Sequence, residues 1–252
     1  ELAVAVDNVK ASPDFAGEDP GHVVVWNPGT GKQVGALMAG RHGYPLAVAW
    51  RRDGRELAVV NDNNLVRFYN GRTHRQVGSV LQSPDTPFLA LAFSPDGSRL
   101  ATGVASGVVR QWSTVTHAQV GPDLKGHTGP VAGVAYSPDG SMLASTVVGY
   151  GATRLWDAGS GSPIGAELVP GRTPITDRTF VLEHFMGSRP AFSPDGTRLA
   201  TPGFDGLTTI WDLRPDDWLR SACQLAGRSL SRAEWAQHVS PDGSPRACEG
   251  HR

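Results

Sequence analysis

Apolar and polar positions alternate along this chain in short runs separated by glycine, proline and aspartate. The clearest stretch holds Val131-Ala132-Gly133-Val134-Ala135-Tyr136, the turn Ser137-Pro138-Asp139-Gly140, a second run Met142-Leu143-Ala144-Ser145, and then Arg154-Leu155-Trp156-Asp157. Period-two alternation predicts half-buried strands. Pro-Asp-Gly between two of them predicts a tight reversal, because proline presets its own φ and glycine accepts a positive one. One such unit cannot bury its own face, so its meaning depends on copies.

The copies are present and keep phase. Trp26, Tyr69, Trp112, Trp156 and Trp211 occupy one slot, at steps of 43, 43, 44 and 55 residues. Arg52-Asp53-Gly54, Pro95-Asp96-Gly97, Pro138-Asp139-Gly140 and Pro194-Asp195-Gly196 occupy another, at steps of 43, 43 and 56. A period in the low forties, with Gly126-His127 upstream and Trp156-Asp157 downstream, resembles the WD-repeat β-propeller family, whose unit is a four-stranded blade. The resemblance implies an all-β propeller over residues 1–213, with five recognisable blades of which the first and last are incomplete, as part of a larger ring. The repeat-defining positions are Trp26, Tyr69, Trp112, His127, Ser145, Trp156, Asp157, Trp211 and Asp212. In well-kept members a His, a Ser or Thr, an Asp and the Trp form a hydrogen-bonded relay. By resemblance His127, Ser145 and Trp156 take three of those places, no Asp stands in the matching turn, and Thr201, Asp205 and Trp211 serve the last repeat with His184 as a candidate donor. Without a full set in any blade, buried apolar strands are expected to carry the stability.

Two insertions interrupt the phase. Glu1-Leu2-Ala3-Val4 aligns with Glu56-Leu57-Ala58-Val59, the second strand of the next repeat, so residues upstream of Glu1 or another element are expected to complete the ring. About twelve residues are then inserted around Val9 to Pro20, and thirteen more around Val169 to Met186. In an up-and-down blade these two connections rise from the same face, so Phe15, Arg172 and Arg178 are candidate partner-binding residues. Pro190 falls where Val134 stands in the fourth repeat, which predicts a short or bent first strand in the fifth.

Beyond Trp211-Asp212 the period changes. Trp218, Ala222 and Leu225 recur at helical spacing, and Ser231-Arg232-Ala233-Glu234 has capping-box spacing with Leu230 and Trp235 around it, so residues 214–252 read as a short helical tail. Cys223, Leu230, Glu234-Trp235 and Cys248 resemble the end of WD-repeat regions in large actinobacterial signalling proteins. There the propeller often follows a nucleotide-hydrolysing switch domain of the STAND class, sometimes with a membrane segment between them. The two cysteines are the only ones in the chain, and a disulfide and two free thiols both remain open.

Composition narrows the function. A formal net charge of -1, with no Lys/Arg block, argues against a nucleic-acid or anionic-membrane surface. The longest apolar runs fall short of the roughly 20 residues that span a bilayer. Glycine (31) and proline (19) suit a turn-rich all-β chain. Gly29-Thr30-Gly31-Lys32 is not a phosphate loop, since the required upstream glycine and following hydroxyl are Trp26 and Gln33. No nucleophile elbow, zinc-protease helix or Cys/His pair at metal spacing occurs. The expected function is a non-catalytic platform for a protein or peptide partner, without cofactor or metal, linked to upstream domains of a larger bacterial signalling protein. A cytoplasmic location and attachment to a membrane protein are both compatible with it. The alternatives are a propeller enzyme with its site at the channel mouth and a structural assembly module.

Overall fold

Five antiparallel sheets follow one another along the chain in a computed structural model that describes residues 2–6, 22–37, 45–83, 86–148, 152–169, 189–203 and 207–214. The first unit holds β1 (Leu2–Val6), β2 (His22–Asn27) and β3 (Lys32–Leu37). The second holds β4 (Pro45–Trp50), β5 (Glu56–Asn61), β6 (Leu65–Asn70) and β7 (Gln76–Gln82). The third holds β8 (Phe88–Phe93), β9 (Arg99–Val104) and β10 (Val109–Ser113), and its outermost pairing shrinks to the isolated bridges Val109–Leu124 and Trp112–Gln119. The fourth is β11 (Val131–Tyr136), β12 (Met142–Val147), β13 (Thr153–Asp157) and β14 (Pro163–Leu168). In the fifth, β15 (Ala191–Phe192) has two residues directly after Pro190, followed by β16 (Arg198–Pro202) and β17 (Thr208–Asp212). Strands neighbour one another in chain order within every sheet, so each unit is a meander. No helix occurs among the described residues. The tail 215–252, both cysteines, Asp205, His184 and the candidate partner residues Phe15, Arg172 and Arg178 lie outside them.

The core lies between sheets. Val23, Val25, Leu57, Val59 and Tyr69 join units one and two. Val60, Phe68, Leu81, Phe88, Leu91 and Leu100 join two and three. Val109, Leu124, Val131, Leu143 and Trp156 join three and four, and Ala144, Leu155, Leu199 and Leu213 join four and five. This corrects the half-buried strands that alternation suggested. Leu57 to Asn61, Leu100 to Val104 and Leu143 to Val147 are buried at every position, because each sheet is covered on both faces by its neighbours. Fully burying one such Leu or Phe stabilises by roughly 1.5–3 kcal/mol. The outer strand β7 is exposed at every position except Leu81.

The first strands of units two to five pack in sequence order, β4 on β8, β8 on β11 and β11 on β15, and β1, the counterpart of the second strand β5, packs on β4. The Arg189 guanidinium donates to the Val48 carbonyl at 3.4 Å, which brings the start of the fifth unit beside the first strand of the second. Polar contacts also cross between units. Arg99 and Gln111 both donate to the Ala158 carbonyl, at 2.7 and 3.0 Å, and Tyr136 donates its phenol to Gln111 at 2.8 Å. His117 leaves the third unit in the left-handed region (φ 54) and lays its ring flat on Phe68 of the second, with centroids 4.3 Å apart. Its Nδ1 accepts the Ser79 amide at 3.2 Å. His74 (φ 55) occupies the corresponding turn of the second unit and approaches Gly35 of the first.

Candidate functional site

In units two to five the repeat-defining aromatic sits on the third strand, opposite a leucine of the second: Tyr69 opposite Leu57, Trp112 opposite Leu100, Trp156 opposite Leu143 and Trp211 opposite Leu199. Two residues beyond each leucine the side chain points to the same face. That position holds a hydroxyl in units three, four and five, whereas in the first unit, where Trp26 pairs with Leu2, it is Val4. The indole of Trp112 donates to Thr102 at 2.9 Å, that of Trp156 to Ser145 at 2.7 Å, and that of Trp211 to Thr201 at 2.8 Å. In the second unit the position is Val59, and Tyr69 carries no indole N–H to satisfy. Thr102 was absent from the sequence-derived set, although its ten-residue spacing from Trp112 is that of Thr201 from Trp211. Trp26 is 38% exposed, at an end of the stack with no earlier unit over it among the described residues.

In the fourth unit the relay extends to His127. Its Nε2 is 2.6 Å from Ser145 Oγ, and its ring meets Trp156 edge-on with centroids 6.1 Å apart. Its Nδ1 is buried and lies 3.6 Å from a carboxylate oxygen of Glu167, which also lies 3.4 Å from Arg154 Nε. Glu167 thus approaches from the outer strand β14. A carboxylate beside Nδ1 favours the ring proton there, so Ser145, which accepts from Trp156, donates to Nε2. Burial, and secondarily the Arg154 charge, push the His127 pKa down to about 4, so the ring is neutral near pH 7.

The aspartates are turn residues. Asp157 accepts the Ser160 amide at 2.7 Å and the Ser160 hydroxyl at 2.8 Å, while Asp212 accepts the Arg214 amide and guanidinium. In Ser94-Pro95-Asp96-Gly97-Ser98 the carboxylate accepts both serine hydroxyls, at 2.5 and 2.7 Å, and these bonds hold its pKa down to about 2. Units four and five repeat the arrangement with Ser137, Asp139 and Ser141, and with Ser193, Asp195 and Thr197.

The second unit departs from this plan. Its turn reads Arg51-Arg52-Asp53-Gly54-Arg55, and Arg51 grips Asp53 in a bidentate pair at 2.9 and 2.7 Å, with Glu56 at 3.6 Å. Here a cavity of about 430 Å³ opens between the β4–β5 and β6–β7 turns, lined by Trp50, Arg51, Arg52, Gly54, Gly71 and Arg72. Gly71 is required by proximity, since a Cβ there would stand 1.9 Å from the Gly54 carbonyl oxygen. Arg52 and Arg72 are exposed, and neither has an ion-pair partner among the described residues. The cavity escaped the sequence reading because its residues come from two turns about twenty residues apart. The departure of Arg51-Arg52 from Ser-Pro was the available signal. No group of three or more His, Cys, Asp or Glu side chains that could hold a metal ion occurs among the described residues.

No curated protein matches the chain. Residues 72–113 and 119–157 match the family WD domain, G-beta repeat. The first span runs from the turn before β7 to the end of β10, so the sequence repeat straddles two sheets: the outer strand of one unit and the three inner strands of the next. Over these two spans, which cover about a third of the chain, the meandering sheets and indole–hydroxyl bonds accompany a match to WD repeats.

Proposed function

We propose that this chain is a non-catalytic protein-interaction platform, the sensing or docking part of a larger bacterial signalling protein of the STAND type. Its blades span 1–213 and a helical tail spans 214–252. One observation carries the reading. The polar groups conserved between the units are consumed internally: serines and aspartates cap turns, and hydroxyls satisfy buried indoles. What varies from unit to unit is the exposed turn chemistry, which is how a repeat scaffold recognises a partner. The tail's resemblance to signalling proteins supports the larger context, and Phe15, Arg172 and Arg178 belong to the two expanded loops proposed as one contact face.

Selection of a displayed random-peptide library on the immobilised chain tests the platform. Convergent peptides that compete with one another for the chain are the expected result, and no enrichment over an unrelated β-protein would remove the reading. Replacing both expanded loops with short turns is expected to weaken binding of the selected peptides. Unchanged binding would discard those loops as the contact face.

A further inference from the structure

The Trp50–Arg72 cavity is the one place among the described residues where the repeat abandons its own turn chemistry in favour of charge. Units three, four and five place Ser-Pro ahead of Asp-Gly and a hydroxyl after it; unit two places Arg51 and Arg52 ahead and Arg55 after. The next turn at the same end of the sheet adds Arg72, where the third and fourth units have Val115 and Gly159.

The charges do not cancel. Asp53 is shared by Arg51 and, at 3.7 Å, by Arg55, while Glu56 faces Arg51. Arg52, from the β4–β5 turn, and Arg72, from the β6–β7 turn, remain, and both line the cavity. A guanidinium presents a planar fork of donors matched to a carboxylate or phosphate, and two such forks in one concavity bind an oxyanion far better than either does alone on a flat surface. Trp50 adds an aromatic side chain to the lining.

We propose that this cavity binds the side-chain carboxylates of an acidic segment in a partner polypeptide. The inference rests on the interaction-platform reading and names the chemistry of the partner. A nucleic acid fits poorly: the positive potential is confined to one cavity bordered by Asp53 and Glu56, and a phosphate backbone needs a continuous basic track.

The test is calorimetric titration of the chain with hexaglutamate, with hexaglutamine as the neutral control and inorganic phosphate as the free-anion control. Hexaglutamate is expected to bind and hexaglutamine not, with affinity falling as added salt shortens the screening length from ~30 Å toward ~8 Å. The R52E/R72E double variant, altered only at exposed positions, is expected to lose about tenfold or more in affinity, and the neutral R52Q/R72Q variant somewhat less. K32E, which reverses an exposed charge in the first unit, is expected to stay within about twofold. Equal affinity for R52E/R72E and the unaltered chain, equal binding of the two peptides, or no binding of hexaglutamate overturns the proposal. Phosphate binding with the same arginine dependence and as much affinity as hexaglutamate overturns the polypeptide assignment. Selected library peptides that are not acidic and ignore R52E/R72E would sink this cavity and leave the platform standing. A library that enriches nothing would sink both.

Discussion

His117 should report directly on how adjacent units are locked. Its ring covers Phe68, which is 1% exposed, and its Nδ1 accepts the Ser79 amide, so one side chain of the third unit makes both an aromatic and a polar contact with the second. His117→Ala removes the ring and keeps a Cβ at φ 54, so the left-handed strain is common to parent and variant and cancels, whereas glycine would relieve it. Loss of the stack costs about 0.5–1.5 kcal/mol and loss of the hydrogen bond about 1 kcal/mol. The expected destabilisation is therefore about 1.5–2.5 kcal/mol, read by urea denaturation, with faster hydrogen exchange at the Ser79 amide. The contact also carries a pH dependence. Nδ1 can accept only while unprotonated, and desolvation lowers the His117 pKa below the ordinary 6.5. The unfolded chain then binds the proton more readily than the folded one. The stabilisation is complete above pH 6.5 and is lost as the pH falls through the folded value. His117→Asn tolerates the same backbone but lacks the titration, so the stability difference between the two proteins should shrink on acidification from pH 8 toward pH 5. A difference that does not change with pH, or an alanine variant as stable as the parent, would refute the account.

Three further outcomes follow from the same geometry. Ser145→Ala leaves both the Trp156 indole and the His127 ring without their partner in a buried site, and should cost about 2–5 kcal/mol by denaturation, against about 1–3 for Thr102→Val, which strands Trp112 alone. Gly71→Ala forces a Cβ to 1.9 Å from the Gly54 carbonyl and should destabilise by about 2–4 kcal/mol, while Gly54→Ala, in open space at φ +70, should cost only the left-handed penalty of about 1–2; equal thermal shifts would contradict this. His127, neutral in the fold with a pKa about 4, should add to acid destabilisation: its contribution is intact above pH 6.5 and declines as the pH falls toward 4, so NMR titration of the ring should show no protonation at pH 6.

The unit and its boundaries were legible because they depend on local chemistry. Pro-Asp-Gly marks the reversals at Asp96, Asp139 and Asp195, and Trp112, Trp156 and Trp211 stand one residue before the ends of the third strands, 16 or 17 residues further on, since strand and turn lengths are set by adjacent residues. The shortness of β15 was equally readable, because a proline removes a ladder donor wherever the strand is packed. Burial was not. Alternation in Val131 to Tyr136 suggested one wet face, yet β12 beside it is buried at every position after Met142, because the covering sheet comes from a unit some forty residues away.

The sequence by itself determined that this is a repeated β-meander with hydroxyls placed for its tryptophans, because those features follow from period, turn residues and spacing within one unit. Only the tertiary structure decided that Glu167 stands beside His127, that His117 lies on Phe68, and that Arg52 and Arg72 line one cavity. Each of these joins residues from different strands, turns or units, and the distance between such groups is set by how the sheets stack, which no single repeat encodes.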